Sequence, residues 1–309
     1  MSIIISKLIS EKYNITKSDF LGSGMEAKVF AYENDKVLKW HKDRSNVTKQ
    51  NSLRRFYQSM NTDGLSYELP CIYDIIQEKD SLITIEKRIK GRDLQSLLSQ
   101  MDNNQLNEAM KTYLSANIEL KSVKMEANFE GYSLFNDYGI SLAKLNNWFE
   151  LLKELILIKQ LELDHYFHKD VVNYKEKLKV ILEILSKGYK GDYSLIHGDF
   201  YPGNVLIENG GVTGVIDFGL MTMYGDYLFD VAIGWVCFDM YDELDANIRE
   251  RYLKIILENL GENVRSSLYL YVLVFSSISA NLYSKNCKDG HYRWCVENLN
   301  NEQYWNAIK

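Results

Sequence analysis

Up to residue 90 the apolar positions fall in short β-prone runs separated by turn residues. Lys28-Val29-Phe30-Ala31-Tyr32 and Val37-Leu38-Lys39-Trp40 flank Glu33-Asn34-Asp35, a pattern that predicts two strands joined by a turn. Leu69 to Asp74 and Ser81 to Glu86 predict two more strands. Thr48 to Met60 reads as a helix with Leu53, Phe56 and Tyr57 on its packing face, and Met1 to Tyr13 as an amphipathic first helix. From Asp93 to Leu185 the pattern becomes helical. Trp148, Leu151, Leu152, Leu155 and Ile156 recur at helical spacing, as do Leu178, Ile181, Leu182 and Leu185. Proline is absent there, the chain's two being Pro70 and Pro202. Gly131 to Gly139, rich in turn-forming and aromatic residues, predicts a loop over a substrate cleft, and Leu253 to Leu260 and Leu268 to Leu282 predict further helices. The pattern is α+β, with a β-rich part over 1–90 and a mostly helical part over 91–309, the boundary near Gly91.

Composition narrows the class. A hydrophobic fraction of 46% and a charged fraction of 25% are those of a globular protein. The net charge of −6 gives no basis for nucleic-acid binding and suits a cationic small molecule. Cys71, Cys237, Cys287 and Cys295 form no C-x-x-C pair, which argues against a zinc site or disulfide framework and for a reducing, cytoplasmic setting. The start has no basic leader or cleavage site. Ser266 to Tyr283 carries no charge, but its five serines and Asn281 predict a buried helix rather than a membrane span.

The chemistry concentrates in Ser194 to Gly219. Two apolar groups, Leu195-Ile196 with Val205-Leu206-Ile207 and then Val212 to Ile216, flank a turn at Asn209-Gly210-Gly211, which predicts a β-hairpin. His197, Asp199, Asn204 and Asp217 sit at the ends of these runs; Asn204 follows Asp199 by five positions and Asp217 follows Asn204 by thirteen. In order and spacing this resembles a kinase catalytic loop, with an Asp base, a metal-binding Asn and a D-F-G Asp. H-G-D-F-Y-P-G-N and I-D-F-G resemble the motifs of the aminoglycoside phosphotransferase and choline kinase-like family, and Gly198 after the histidine favours that small-molecule branch. N-V-L-I-E-N-G-G-V-T-G-V-I-D-F-G followed by M-Y-G-D loosely resembles the hygromycin phosphotransferase branch.

The resemblance implies a two-lobed protein-kinase-like fold, with a nucleotide-binding lobe over 1–90 and a catalytic and substrate-binding lobe over 91–309. Asp199 would be the base for an acceptor hydroxyl, and Asn204 and Asp217 would supply oxygen ligands to Mg²⁺. His197 would brace the loop. Phe20 to Ala27 contains G-x-G-x-x-A, but a strand rather than a helix follows it, so the dinucleotide-fold reading fails. Gly22, Ser23 and Gly24 resemble instead the nucleotide-covering loop of a kinase, with Lys39 fifteen positions after Gly24 placed to neutralise the phosphates. Lys87 to Leu94 resembles the hinge, and Glu86 and Arg88 are expected at the nucleotide base. ATP is the implied donor, with GTP not excluded.

One departure matters. Thr48 to Met60 contains no Glu or Asp, where the family's helix offers a Glu to the lysine; Gln50, Asn51 or Glu68 are the expected substitutes. Downstream, Gly225 to Ala232 resembles the family's G-D-P-x-x-D-L-A segment with Tyr227 in place of Pro, and Asp230 is expected to open a helix and hold the catalytic loop. Asp239, Asp242 and Glu243 would meet the ammonium groups of an acceptor, while the bland alternative is that Asp242 and Asp245 cap the next helix. His165 and His168 lack a third ligand and read as surface histidines. The expected activity is phosphoryl transfer to a hydroxyl of an aminoglycoside-type antibiotic by a monomer or homodimer, with no nucleic-acid or membrane partner. A metabolite kinase acting on choline, homoserine or a sugar, and a nucleotide-binding protein without turnover, are the alternatives.

Overall fold

The computed structural model of the chain describes residues 7–24, 26–41, 45–78, 81–125, 147–219, 221–239 and 244–308. After a short helix α1 (Lys7–Lys12), strands β1 (Phe20–Ser23), β2 (Ala27–Tyr32) and β3 (Lys36–His41) follow one another, then helix α2 (Val47–Gln58), a short β4 (Met60–Asn61), β5 (Ile72–Glu78) and β6 (Ser81–Lys87). β1, β2, β3, β6 and β5, in that order, make one antiparallel sheet.

Strand alternation gives this sheet two faces of different chemistry. Phe30, Leu38 and Ile85 lie opposite one another across three strands and, with Ile83 and Ile15, form a small apolar core. The other face carries Val37, Lys39 and His41 of β3 beside Leu82, Thr84 and Glu86 of β6. Helix α2 is started by Asn46, whose side chain accepts a 2.8 Å hydrogen bond from the Lys49 amide. Its Phe56 and Tyr57 belong to the core of the second part of the chain, where both rings meet Phe218.

The chain leaves the sheet after Lys87 and turns at Gly91, whose φ is +120°. A side chain at 91 would collide with Thr213 Oγ1 and the Ile207 carbonyl, so only glycine fits this crossing. Then come β7 (Arg92–Asp93), α3 (Gln95–Leu98), α4 (Asn103–Glu119), β8 (Lys124–Met125), α5 (Trp148–Asp170) and α6 (Tyr174–Leu185). Trp148, Leu151, Leu152, Leu155 and Ile156 of α5 are all buried, as their spacing predicts. The loop expected at Gly131 to Gly139 lies outside the described residues.

Short strands β9 (Ser194–Ile196), β10 (Val205–Glu208), β11 (Gly211–Val215) and β12 (Met223–Gly225) precede helices α7 (Leu228–Val236), α8 (Ile248–Leu260), α9 (Arg265–Ser279), α10 (Gly290–Asn300) and α11 (Glu302–Ile308). β10 and β11 form the expected hairpin, closed by Asn209 and Gly210 with φ of +53° and +81°, the conformation a tight two-residue turn requires. The grouping of Leu195-Ile196 with that hairpin is corrected: β9 pairs with β12, while β10 pairs on its far edge with β7. Every residue of α7 is buried, and α9 packs its uncharged length into the same core. Among the described residues no helix is long and apolar enough to cross a membrane. The four cysteines are free thiols.

Candidate active site

One row of residues crosses the sheet toward the second part of the chain. Gly22 lies opposite Val29, Val29 opposite Lys39, and Lys39 opposite Thr84. At about 4.8 Å per strand, Gly22 stands roughly 10 Å from the lysine strand. Among the described residues, and beyond each glycine's own chain neighbours, nothing lies within 4 Å of where a side chain would begin at Gly22 or Gly24, so there is room beside this hairpin edge, although the Gly24 amide itself donates to the Ala27 carbonyl at 3.0 Å.

Lys39 reaches in two directions. Its Nζ is 3.1 Å from Glu86 Oε2 on the neighbouring strand and 3.2 Å from Asp217 Oδ1 in the second part of the chain. Burial alone would lower the lysine pKa; the carboxylates of Glu86 and Asp217 outweigh it and hold the ammonium charged well above its ordinary value. In return Lys39 keeps the Asp217 carboxyl below its ordinary value. The acidic partner missing from α2 is therefore Glu86. Two of the three expected substitutes are engaged elsewhere: Gln50 Nε2 donates to Ser45 Oγ at 2.8 Å, and Glu68 pairs with Lys87 at 3.0 Å. α2 itself offers a lysine, Lys49, which meets Glu26 just beyond the glycine hairpin at 2.9 Å.

Asp217 has φ of +62°, a backbone state that a non-glycine residue adopts only when its surroundings impose it. Here the imposing contacts are visible. The Ile216 amide donates to the Asn204 carbonyl at 2.9 Å, the Ile216 carbonyl accepts from His197 Nε2 at 2.8 Å, and Phe218 packs on the His197 ring with centroids 4.3 Å apart.

His197 ties the loop together in its neutral form. Nε2 is the protonated nitrogen, because a carbonyl can only accept, and Nδ1 accepts from the Asp199 amide at 3.2 Å. Burial pulls its pKa down to about 4, in keeping with that role. Asp230, in the first turn of α7, takes the amides of His197 and Gly198 on its two carboxylate oxygens at 2.6 and 2.8 Å. Burial raises its pKa to about 7, against the pull of those two donors. Gly198 has φ of +81°, and a Cβ there would lie 1.9 Å from the Met221 carbonyl oxygen. The glycine that distinguishes H-G-D is thus a demand of packing.

Asp199 presents its carboxylate at the exposed surface of the cleft. Desolvation by the surrounding walls raises its pKa to about 6, an effect Asn204 opposes and Asp217 assists. Asn204, in contrast, is buried. Its Nδ2 donates to the Asp199 carbonyl at 2.9 Å and to Asp199 Oδ2 at 3.2 Å, which leaves Oδ1 as its free oxygen donor among the described residues. Among those residues no group of three His, Cys, Asp or Glu could enclose a metal ion. An amide oxygen and a carboxylate are nevertheless the donor set Mg²⁺ uses when phosphate and water complete its shell, so Asn204 and Asp217 fit that ion.

The other expected positions lie apart from this cluster or outside the description. Asp239, just beyond α7, is buried; its Oδ2 accepts from the Leu244 amide at 3.3 Å and its carbonyl accepts from Arg249 at 3.2 Å. Asp242 and Glu243 lie outside the described residues. The Arg88 amide donates to the Asp35 carbonyl at 2.8 Å. His168 bonds Asp164 on its own helix. Two residues of the cluster went unnoticed in the sequence, Thr84 and His41. The alternation of β6 would have placed Thr84 on the face of Glu86.

The sequence model described as APH, phosphotransferase enzyme family, matches residues 20–265. The chain belongs to this family. Members of the phosphotransferase family with similar solved structures include the gentamicin complex of APH(2″)-IIa, with a TM-score of 0.61 and 22% identity over 96% of this chain and 97% of that one. ADP-bound APH(2″)-Ib gives 0.58 and 23% over 97% of both chains. The GDP and kanamycin complex of APH(2″)-IIIa gives 0.63 and 14%, again over 97% of both. These likenesses establish the two-lobed kinase-like fold. All three are 2″-phosphotransferases rather than relatives from the hygromycin branch that residues 204–219 loosely resemble. A sequence comparison with curated proteins gives no match.

Proposed function

We propose that this phosphotransferase moves the γ-phosphate of ATP or GTP to a hydroxyl of an aminoglycoside-type acceptor. The observation that carries the reading is the closure of one cleft from both parts of the chain: Lys39 reaches Asp217 at 3.2 Å, and the same loop system presents Asp199 and Asn204. In that arrangement Asp199 takes the proton of the acceptor hydroxyl as its oxygen bonds to the γ-phosphorus and the bond to the β–γ bridging oxygen breaks. Lys39 holds the nucleotide phosphates, and the hairpin at Gly22 to Gly24, which has no bulky side chain at either glycine, covers them. Bound Mg²⁺ would neutralise phosphate charge, held by Asn204 Oδ1 and the Asp217 carboxylate. The likeness to structures holding gentamicin and kanamycin supports the acceptor class; Asp242 and Glu243 stay proposed as its selectors, whereas Asp239, buried with its carboxylate on the Leu244 amide, does not present itself to an acceptor. A binder without turnover loses its motive, since Glu86 supplies the acid that α2 lacks.

The test is nucleoside diphosphate release from ATP and from GTP across aminoglycosides, choline, homoserine and sugars. At least one aminoglycoside should stimulate release, and Asp199→Asn should lower kcat by about 10² to 10⁴. Stimulation by choline, homoserine or a sugar alone would move the acceptor to a metabolite. No stimulation by any acceptor would end the reading.

A further inference from the structure

We propose that Thr84 and His41 are positioning residues that hold Glu86 against Lys39 from within the sheet, a role that rests on the nucleotide reading of the cleft. The register makes it so. Lys39 stands opposite Thr84 and His41 opposite Leu82, so Lys39 meets Glu86, and His41 meets Thr84, along two parallel diagonals. The contacts join into one buried chain. His41 Nε2 is 3.0 Å from Thr84 Oγ1, Thr84 Oγ1 is 2.6 Å from Glu86 Oε1, and Glu86 Oε2 is 3.1 Å from Lys39 Nζ.

Its polarity is fixed by proton count. A carboxylate has no hydrogen to give, so the single hydroxyl hydrogen of Thr84 goes to Glu86, and Thr84 accepts from His41 Nε2–H. Glu86 thus divides its oxygens, one anchored by the hydroxyl and the other facing the ammonium. Thr84 and Glu86 are 0% and 3% exposed, so water cannot substitute for the threonine without a cavity to hold it. Removing the hydroxyl leaves Oε1 buried without a donor, and the carboxylate turns toward the one strong donor left, Lys39, drawing it from its place between Glu86 and Asp217.

A merely structural reading would have Thr84 satisfy His41 and nothing more. Nucleotide binding separates the two. Calorimetric Kd values for ATP and GTP need no acceptor and would be measured for wild type, Thr84→Val, Thr84→Ser, Lys39→Ala and the Lys39→Ala/Thr84→Val double variant. Thr84→Val should weaken binding of the preferred nucleotide about tenfold, the scale of one hydrogen bond to a charged group. Thr84→Ser, which keeps the hydroxyl, should bind like wild type. In the Lys39→Ala background the valine should add nothing, because its effect runs through the lysine.

Thr84→Val binding like wild type, Thr84→Ser failing as badly as valine, or an equal loss in the Lys39→Ala background would each overturn the proposal. A wild-type chain that binds neither nucleotide would instead overturn the reading of the cleft on which it stands.

Discussion

Lys39 and Glu86 close an ion pair of 3.1 Å between adjacent strands of one sheet, with the glutamate buried. Both ends belong to a hydrogen-bonded ladder, so the pair is set by strand register and not by the docking of a helix. A lysine braced by a helix can be released when that helix moves. Here α2 carries no acid, and its Lys49 meets Glu26. The register thus fixes Lys39 against Glu86, and from there its Nζ also meets Asp217, on the opposite side of the cleft, at 3.2 Å.

Glu86→Gln keeps shape but removes the charge. Lys39 should then lean on Asp217, and the KM for nucleotide should rise by about tenfold or more while the acceptor KM stays level. Asn51→Ala on α2 should leave both unchanged. Steady-state kinetics varying each substrate in turn would check the pair. A nucleotide KM that responded to Asn51 and not to Glu86 would return the bracing role to the helix.

At Gly198 the backbone is already in the left-handed region, and any Cβ meets the Met221 carbonyl at 1.9 Å. Gly198→Ala should therefore cost about 3 kcal/mol or more, combining strain with a backbone collision that no rotamer relieves. Urea unfolding would read it. Gly210→Ala makes a fair control, because its φ is equally positive but nothing lies within 4 Å, so strain alone should cost about 1 kcal/mol.

How far the chain announces these features depends on whether their causes are local. Asn209-Gly210 spells its own turn, since positive φ at both positions selects those residues. The spacing of Asp199, Asn204 and Asp217 is legible because the three flank one hairpin, Asp199 and Asn204 just before it and Asp217 just after. The partner of β9 was not, because Met223 to Gly225 return to it only after the hairpin has been made. Gly198 could be seen, but its reason could not, since the Met221 carbonyl is brought there by that same late pairing. For Lys39 the strands were predicted and their register was not. A shift of one residue between β3 and β6 would have turned Glu86 to the small apolar core, so no reading of spacing alone could choose between Glu86, Gln50 and Glu68.

Burial, reinforced by the Lys39 ammonium and opposed by Glu86, lowers the His41 pKa from 6.5 to about 4. Well above pH 6.5 the ring is neutral in folded and unfolded chains, and it contributes no pH dependence. As pH falls below 6.5 the unfolded chain binds a proton that the folded chain refuses, so stability is lost until the folded pKa is passed. Integrated between pH 7 and pH 5, this single histidine removes about 2 kcal/mol. His41→Gln offers Thr84 a neutral N–H of similar reach and does not titrate. Asp199, Asp230 and His197 titrate alike in both proteins and cancel from the difference. Stability from urea unfolding, taken as wild type minus His41→Gln, should therefore fall by about 2 kcal/mol from pH 7 to pH 5. A difference that stayed flat with pH would mean that His41 accepts its proton in the folded chain. A protonated ring would leave the donor to Thr84 in place while adding a buried charge balanced mainly by Glu86, with Glu26 beyond it.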